Sequence, residues 1–124
     1  MFWRKAERRS ALTLDQFDAC VAANNVDVVR VDLVYQQARN GRGSKVVLTN
    51  LSRGGGGDAW MWFYYPEVGD LLAVTASSGW GPHNNHDVLY VGKKSGDTGV
   101  LFRVDAKTLR RGMRHRARAG QLAV

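Results

Sequence analysis

Apolar and polar positions change period along this chain, and each change marks an element. From Leu12 to Val21, the apolar residues Leu14, Phe17, Cys20 and Val21 fall on one side of a 3.6-residue helix, with Asp15, Gln16 and Asp18 elsewhere on the cylinder. Thr13 and Gln16 have the spacing of a capping box, and Leu12 and Phe17 that of a hydrophobic staple. Asn24-Asn25 supplies a stop. The pattern predicts a short helix that starts at Thr13.

From Val26 the period becomes two. Val29, Val31, Leu33 and Tyr35 share one face, opposite Val28, Arg30, Asp32, Val34 and Gln36, as in a half-buried strand. Asn40-Gly41 is a favoured type I′ hairpin pair and would set Tyr35 against Val46, Leu33 against Leu48, Gln36 against Lys45 and Asp32 against Thr49. The same register places Arg39 opposite Arg42, an unfavourable like-charge pair unless an anion lies between them.

Gly54 to Gly57 reads as a flexible loop into the strand Ala59 to Tyr65, in which Trp60, Trp62 and Tyr64 point one way and Met61, Phe63 and Tyr65 the other. Both faces of that strand are apolar or aromatic, so one can join the core while the other needs a second layer or a flat ligand. Pro66 to Asp70 is a turn into Leu71 to Ala76, and Ser77 to His86 is a long loop. Asp87 to Gly92 and Val100 to Val104 pattern as a last hairpin. Asp105 caps a short helix that Gly112 would stop, and Met113 to Gly120 lacks apolar periodicity and should be disordered unless a partner holds it.

The expected fold is therefore α+β and mostly β. An N-terminal helix packs on an antiparallel meander of about six strands, a barrel or half-barrel, followed by a short C-terminal helix. Residues 1–10 form a basic arm, 11–112 the globular domain and 113–124 an Arg-rich tail.

Charge sharpens this division. The chain of 124 residues has a formal net charge of +7, and nine of its 18 basic residues lie in the first ten or last fifteen positions. Between Ala11 and Leu109 nine bases meet ten acids, so the expected body is almost neutral and the excess sits at the ends. The lone cysteine, Cys20, has no internal partner and reads as a small apolar side chain of a reducing compartment. No apolar run is long enough to span a bilayer, and Met1 to Ser10 lacks the apolar core of a secretory signal. These features place the protein in the cytoplasm, with no membrane partner.

Candidate chemistry is sparse. His83 and His86, beside Asp87, have a possible metal-ligand spacing, but a zinc site needs three or four ligands and His115 and Cys20 lie on other segments, so no metal is assigned. The same imidazoles offer an acid and a base for phosphodiester cleavage, the pattern of a small ribonuclease or toxin. The glycine run leads into a strand and not a helix, which argues against a nucleotide-phosphate loop, and nothing calls for a cofactor.

The stronger signal combines rings and cations. Trp60, Trp62, Tyr64 and Trp80 are either core or a stacking platform for bases, and Arg39, Arg42, Lys45 and Arg53 form an acid-free span beside them. Arg110, Arg111, Arg114, Arg116 and Arg118 would add backbone contacts. The sequence thus points to binding of single-stranded DNA or RNA. The alternatives are a non-catalytic assembly or inhibitor protein (a virion or ribosome-associated component, as a homo-oligomer or in a larger particle) and the histidine-dependent nuclease.

Overall fold

The computed structural model describes residues 2–75, 77–79 and 88–122. Helix α1 (Phe2–Ala23) leads into strands β1 (Asp27–Gln37), β2 (Gly43–Asn50), β3 (Gly56–Trp62), β4 (Leu71–Val74), β5 (Ser77–Gly79), β6 (Val88–Val91) and β7 (Val100–Val104), and helix α2 (Ala106–Leu122) follows. The α+β class and the helix-then-strands layout match expectation. The seven strands form one mixed sheet in the order β5-β6-β3-β2-β1-β4-β7. Among the described residues only the β3–β6 pair is parallel.

Two expectations about the sheet are corrected. Residues 87–92 and 100–104 do not form a hairpin: β6 pairs with β3 and β5, whereas β7 pairs with β4 at the far end. Nor is the sheet a closed barrel, since β5 and β7 stand at opposite ends of the order. It is nevertheless strongly curled. Residues 75 and 76 alone separate β4 from β5, which occupy the sixth and first places in the sheet. Three residue steps reach at most about 11 Å, so the two ends of the sheet are drawn together.

The curl builds the main core. Val29, Val31, Val46, Leu48, Ala59, Met61, Leu72, Val74, Leu89 and Val91 meet on the concave side, and Val100 from the last strand packs against them. A second cluster lies on the convex side, where Leu14 and Phe17 of α1 pack on Ala73 and Val104 with Val28, Phe102 and Leu109 beside them. The Phe17 and Phe102 rings meet edge to face at 5.7 Å.

Register in the first hairpin holds for Gln36 and Lys45 and then slips. Irregularities between Val31 and Leu33 and between Val34 and Gln36 pair Val34 with Val46 and Leu33 with Val47. A bulge adds one residue to one strand and reverses the faces beyond it. Val29 and Val31 are therefore buried, while Leu33 and Tyr35, expected on the same face, are about half exposed. The third strand also starts three residues earlier than expected, because Gly56 and Gly57 pair with Thr49 and Leu48.

The helices depart furthest from the sequence pattern. Thr13 does not start α1: it lies mid-helix with its hydroxyl donating to the Arg9 carbonyl at 3.1 Å, and residues 2–10 are helical. Asn24 does end the helix, its amide donating to the Cys20 carbonyl at 2.8 Å. Asp105 caps α2, accepting from the Thr108 N–H at 2.9 Å, but Gly112 does not stop it, and residues expected to be disordered continue the helix to Leu122.

The two helices run antiparallel. Glu7 meets Arg114 and Arg118, Ser10 and Leu14 meet Gly112, and Phe17 lies near Leu109 in the shared cluster. Gly112 is there because the helices approach closely: a Cβ would lie 2.5 Å from Leu14 Cδ1 and 3.0 Å from the Ser10 carbonyl oxygen. Glu7, only 2% exposed, is satisfied by the two arginines. On the opposite flank, Arg116 reaches Asp15 and Asp18, both at 2.8 Å, and those carboxylates hold its guanidinium pKa above the ordinary value.

Alanine in place of glycine usually stabilises a helix by about 1 kcal/mol. At Gly120, where a Cβ would meet nothing within 4 Å, Gly120→Ala should raise the melting temperature. Gly112→Ala should lower it, with a net cost of about 1–3 kcal/mol from overpacking. Paired thermal melts with opposite signs confirm the close crossing. Capping by Asp105 carries a pH signature, since the side-chain and backbone hydrogen bonds from Thr108 hold its pKa below the ordinary carboxyl value. Its stabilisation is therefore present above the unfolded-state pKa and lost as pH falls through the lower folded-state value. Asp105→Ala should cost about 1 kcal/mol at neutral pH, and the difference from wild type should shrink in denaturant titrations at acid pH.

Candidate nucleic-acid interface

The convex face of the sheet is divided between two tenants. One part, around β4, β7 and the start of β1, lies under the helices. Over β2, β3 and β6 the register sets Lys45 beside Trp60 and Trp60 beside Tyr90, with Val47, Asp58 and Val88 in the neighbouring row. These residues alternate with Val46, Ala59, Met61 and Val91 of the core, so they share the convex face.

Here Tyr35, Lys45, Ala59, Trp60, Val88 and Tyr90 line a groove of about 280 Å3. Tyr35 reaches it because the bulges in β1 turn its ring away from the core. Its hydroxyl hydrogen-bonds to the Asp58 carboxylate, and partial burial, followed by the charge and hydrogen bond of Asp58, pushes the phenol pKa up. Gly43 makes room for Trp60: a Cβ at position 43 would lie 2.9 Å from the indole Cζ2 and 2.1 Å from the Met61 carbonyl oxygen. The Trp60 N–H is buried without a hydrogen-bond acceptor among the described residues.

Trp62 continues the ring surface. Its centroid is 5.5 Å from that of Trp60 at an interplanar angle of 87°, and 5.9 Å from that of Phe63 at 36°. Phe63 has φ of +55°, a left-handed conformation that costs a residue with a bulky side chain about 1–3 kcal/mol. Its N–H donates to the Arg42 carbonyl at 2.8 Å, which ties the strained residue to the basic turn. The reversal at Phe63 also corrects the expected face of Tyr64, which packs against the concave core and does not join Trp60 and Trp62.

The predicted cations are partly gathered and partly dispersed. Arg39 and Arg42 lie exposed on the β1–β2 turn, at the end of the sheet where Lys45 begins the groove. Arg53 sits on the turn between β2 and β3, at the opposite end of β2, with Nε 3.1 Å from Asp27. Arg110, Arg111, Arg114, Arg116 and Arg118 all lie on α2. Trp80, His83 and His86 fall outside the described residues, as does Asp87. Among the described residues no group of three or more metal-ligating side chains is assembled, and no helix is long and apolar enough to cross a membrane.

Charge on the helical layer is lopsided. α1 carries Arg4, Lys5, Arg8 and Arg9 against Glu7, Asp15 and Asp18, whereas α2 carries Lys107 and five arginines with no acid. Four bases against three acids and six bases against none account for the whole +7, leaving eight bases and eight acids elsewhere. Lys107, Arg111, Arg114 and Arg118 recur at helical spacing along one side of α2, and Arg110 adjoins them. Between the N-terminal half of α1 and the C-terminal half of α2, Arg4, Glu7, Arg8, His115, Arg118 and Ala119 line a cleft of about 600 Å3.

Sequence reasoning missed Tyr35, Tyr90 and Glu7. Alternation along Val88–Val91 could have placed Tyr90 outward, but bulges have no such signature, and a buried acid resembles an exposed one in sequence. Compared with known protein families, curated proteins and solved structures, the chain matches none.

The Tyr35–Asp58 pair makes a titration prediction. Asp58→Asn should bring the raised phenol pKa of Tyr35 back toward its ordinary value, read by ultraviolet absorbance against pH. In wild type, the stabilisation from this pair is present at neutral pH and is lost as pH rises through the raised value, above about 10. An unchanged tyrosine titration in Asp58→Asn would show that the pair does not form.

Proposed function

We propose that the protein binds nucleic acid, with the basic side of α2 on the phosphate backbone and the aromatic convex face available to unpaired bases. One observation carries this reading: the entire net charge of +7 belongs to two packed helices, while the sheet is balanced. Such a concentration of fixed cations attracts a polyanion and releases its counterions on contact. Folding the cations onto a helix also lowers the conformational entropy cost that a floppy arm would bear on binding.

The triple variant Lys107→Ala/Arg110→Ala/Arg111→Ala tests it, because none of these three residues takes part in the helix–helix ion pairs. Affinity for an oligonucleotide should fall at least about tenfold near 0.1 M salt. The salt slope should flatten by roughly 0.7 for each phosphate that the variant no longer neutralises on a single strand, or 0.9 on a duplex. Circular dichroism checks that the fold persists. Unchanged affinity and slope would remove α2 as the binding surface.

A second reading, as a non-catalytic assembly protein, draws on Leu12 and Met113, both about half exposed on the same helical layer. Light scattering with and without nuclease treatment separates a protein-only assembly from a nucleic-acid complex. The nuclease alternative rests on His83 and His86, outside the described residues, and the remaining geometry adds nothing to it.

A further inference from the structure

We propose that the convex groove holds a single unpaired nucleobase between Tyr35, Trp60 and Tyr90, with the adjoining phosphate at Lys45. This assigns Tyr35 and Tyr90 as ligand-binding residues and makes the protein a reader of single strands. It rests on the nucleic-acid reading but uses a different surface from the one that carries that reading.

Size, walls and charge each limit what the groove can take. At about 280 Å3 it lies at the lower bound of small-ligand sites, roughly 300 Å3, which suits one ring system. Three aromatic residues with Val88 favour a flat ligand with an apolar face. The one charged residue of the lining is Lys45, which is exposed and takes part in no ion pair among the described residues. A neutral flat ligand would leave this cation unused, whereas a nucleotide satisfies ring and cation together.

Asp58 lies on the same face beside Tyr35, in the row next to Lys45 and Trp60, so a phosphate is placed on the Lys45 side of the groove. Arg39 and Arg42 lie on the acid-free turn that begins where Lys45 ends, and Trp62 and Phe63 extend the ring surface toward them. A strand leaving the groove in that direction finds cations for its next phosphate and rings for its next base. The strain at Phe63 then has a use, since the left-handed residue sets its ring beside Trp62 and its backbone on Arg42. A base in duplex is stacked and paired and cannot enter a groove of this size.

The experiment titrates the full chain with nucleoside 5′-monophosphates and with the matching phosphate-free nucleosides, following tryptophan fluorescence and backbone amide shifts. In wild type, shifts should map to β2, β3 and β6. Tyr90→Ala should weaken monophosphate binding about tenfold, the scale of removing one stacked ring, and Tyr90→Leu, which keeps most of the volume, guards against simple unfolding. Lys45→Ala should weaken the monophosphates and leave the nucleosides unchanged. The α2 triple variant should retain mononucleotide binding in the groove.

Shifts confined to the helices, or a Tyr90→Leu protein that binds monophosphates as wild type does, would overturn the groove. If the triple variant still loses salt-dependent oligonucleotide binding in that case, the helical surface survives without the groove. If monophosphates shift the sheet but no oligonucleotide is bound, the groove is a mononucleotide site, and both the single-strand proposal and the helical reading fall.

Discussion

The close approach of α1 and α2 is the constraint on which the other features depend. Gly112 lets the helices touch, and the small or polar residues Ser10 and Ala11 are buried beside it. Glu7 is buried next to them and held by Arg114 and Arg118. Burying a carboxylate costs several kcal/mol unless its partners are well placed, and losing one partner leaves an uncompensated charge. Glu7 ties two cations of α2, Arg114 and Arg118, to α1. Arg116, clamped on the other flank by Asp15 and Asp18, fixes the rotation from the opposite side.

This arrangement explains why half of the helical layer was hidden in the sequence. The second half of α1 was legible because Leu14, Phe17 and Val21 give an apolar stripe that packs on the sheet. Its first half buries Glu7, Ser10 and Ala11, which carry no apolar period, against a partner about a hundred residues away. Gly112 looked like a stop because glycine is a poor helix former, and only the facing Leu14 shows why it is tolerated mid-helix. The runs of arginine looked like solvated arms for the same reason: their structure lies in a contact, not in a period.

The sheet was legible where pairing is local and opaque where it is not. The β1–β2 pairing and the shared face of Trp60 and Trp62 follow from alternation, which does not say whether that face is core or surface. The parity of Leu33 and Tyr35 does not, because each bulge reverses it. The parallel β3–β6 ladder joins distant segments, and no turn residue announces it. Tyr64 was misplaced by one strained residue, Phe63, whose left-handed backbone ends the alternation. Arg53 was grouped with Arg39 by proximity in sequence, although β2 runs between them and places them at opposite ends of the sheet.

The curl of the sheet finally decides which surface is open to a ligand. Small β-barrels that hold a ligand inside need an interior wider than their own side chains fill. Here, among the described residues, the concave side is packed by valine, leucine and methionine, with Val29, Val31, Val46, Leu48, Met61 and Val91 at 0% exposure. The open recognition surface that these residues leave on the sheet is convex. The helices already occupy one part of that face, and the rest carries Tyr35, Trp60, Trp62 and Tyr90 around Lys45. A neutral sheet with rings on its free half, next to a layer that holds all the excess positive charge, separates two tasks. The cations act at the range of the Debye length, about 8–10 Å in ordinary salt, whereas the rings act only in contact. Under the proposed function, charge gathers a polyanion without regard to its bases, and the groove discriminates afterward between paired and unpaired ones.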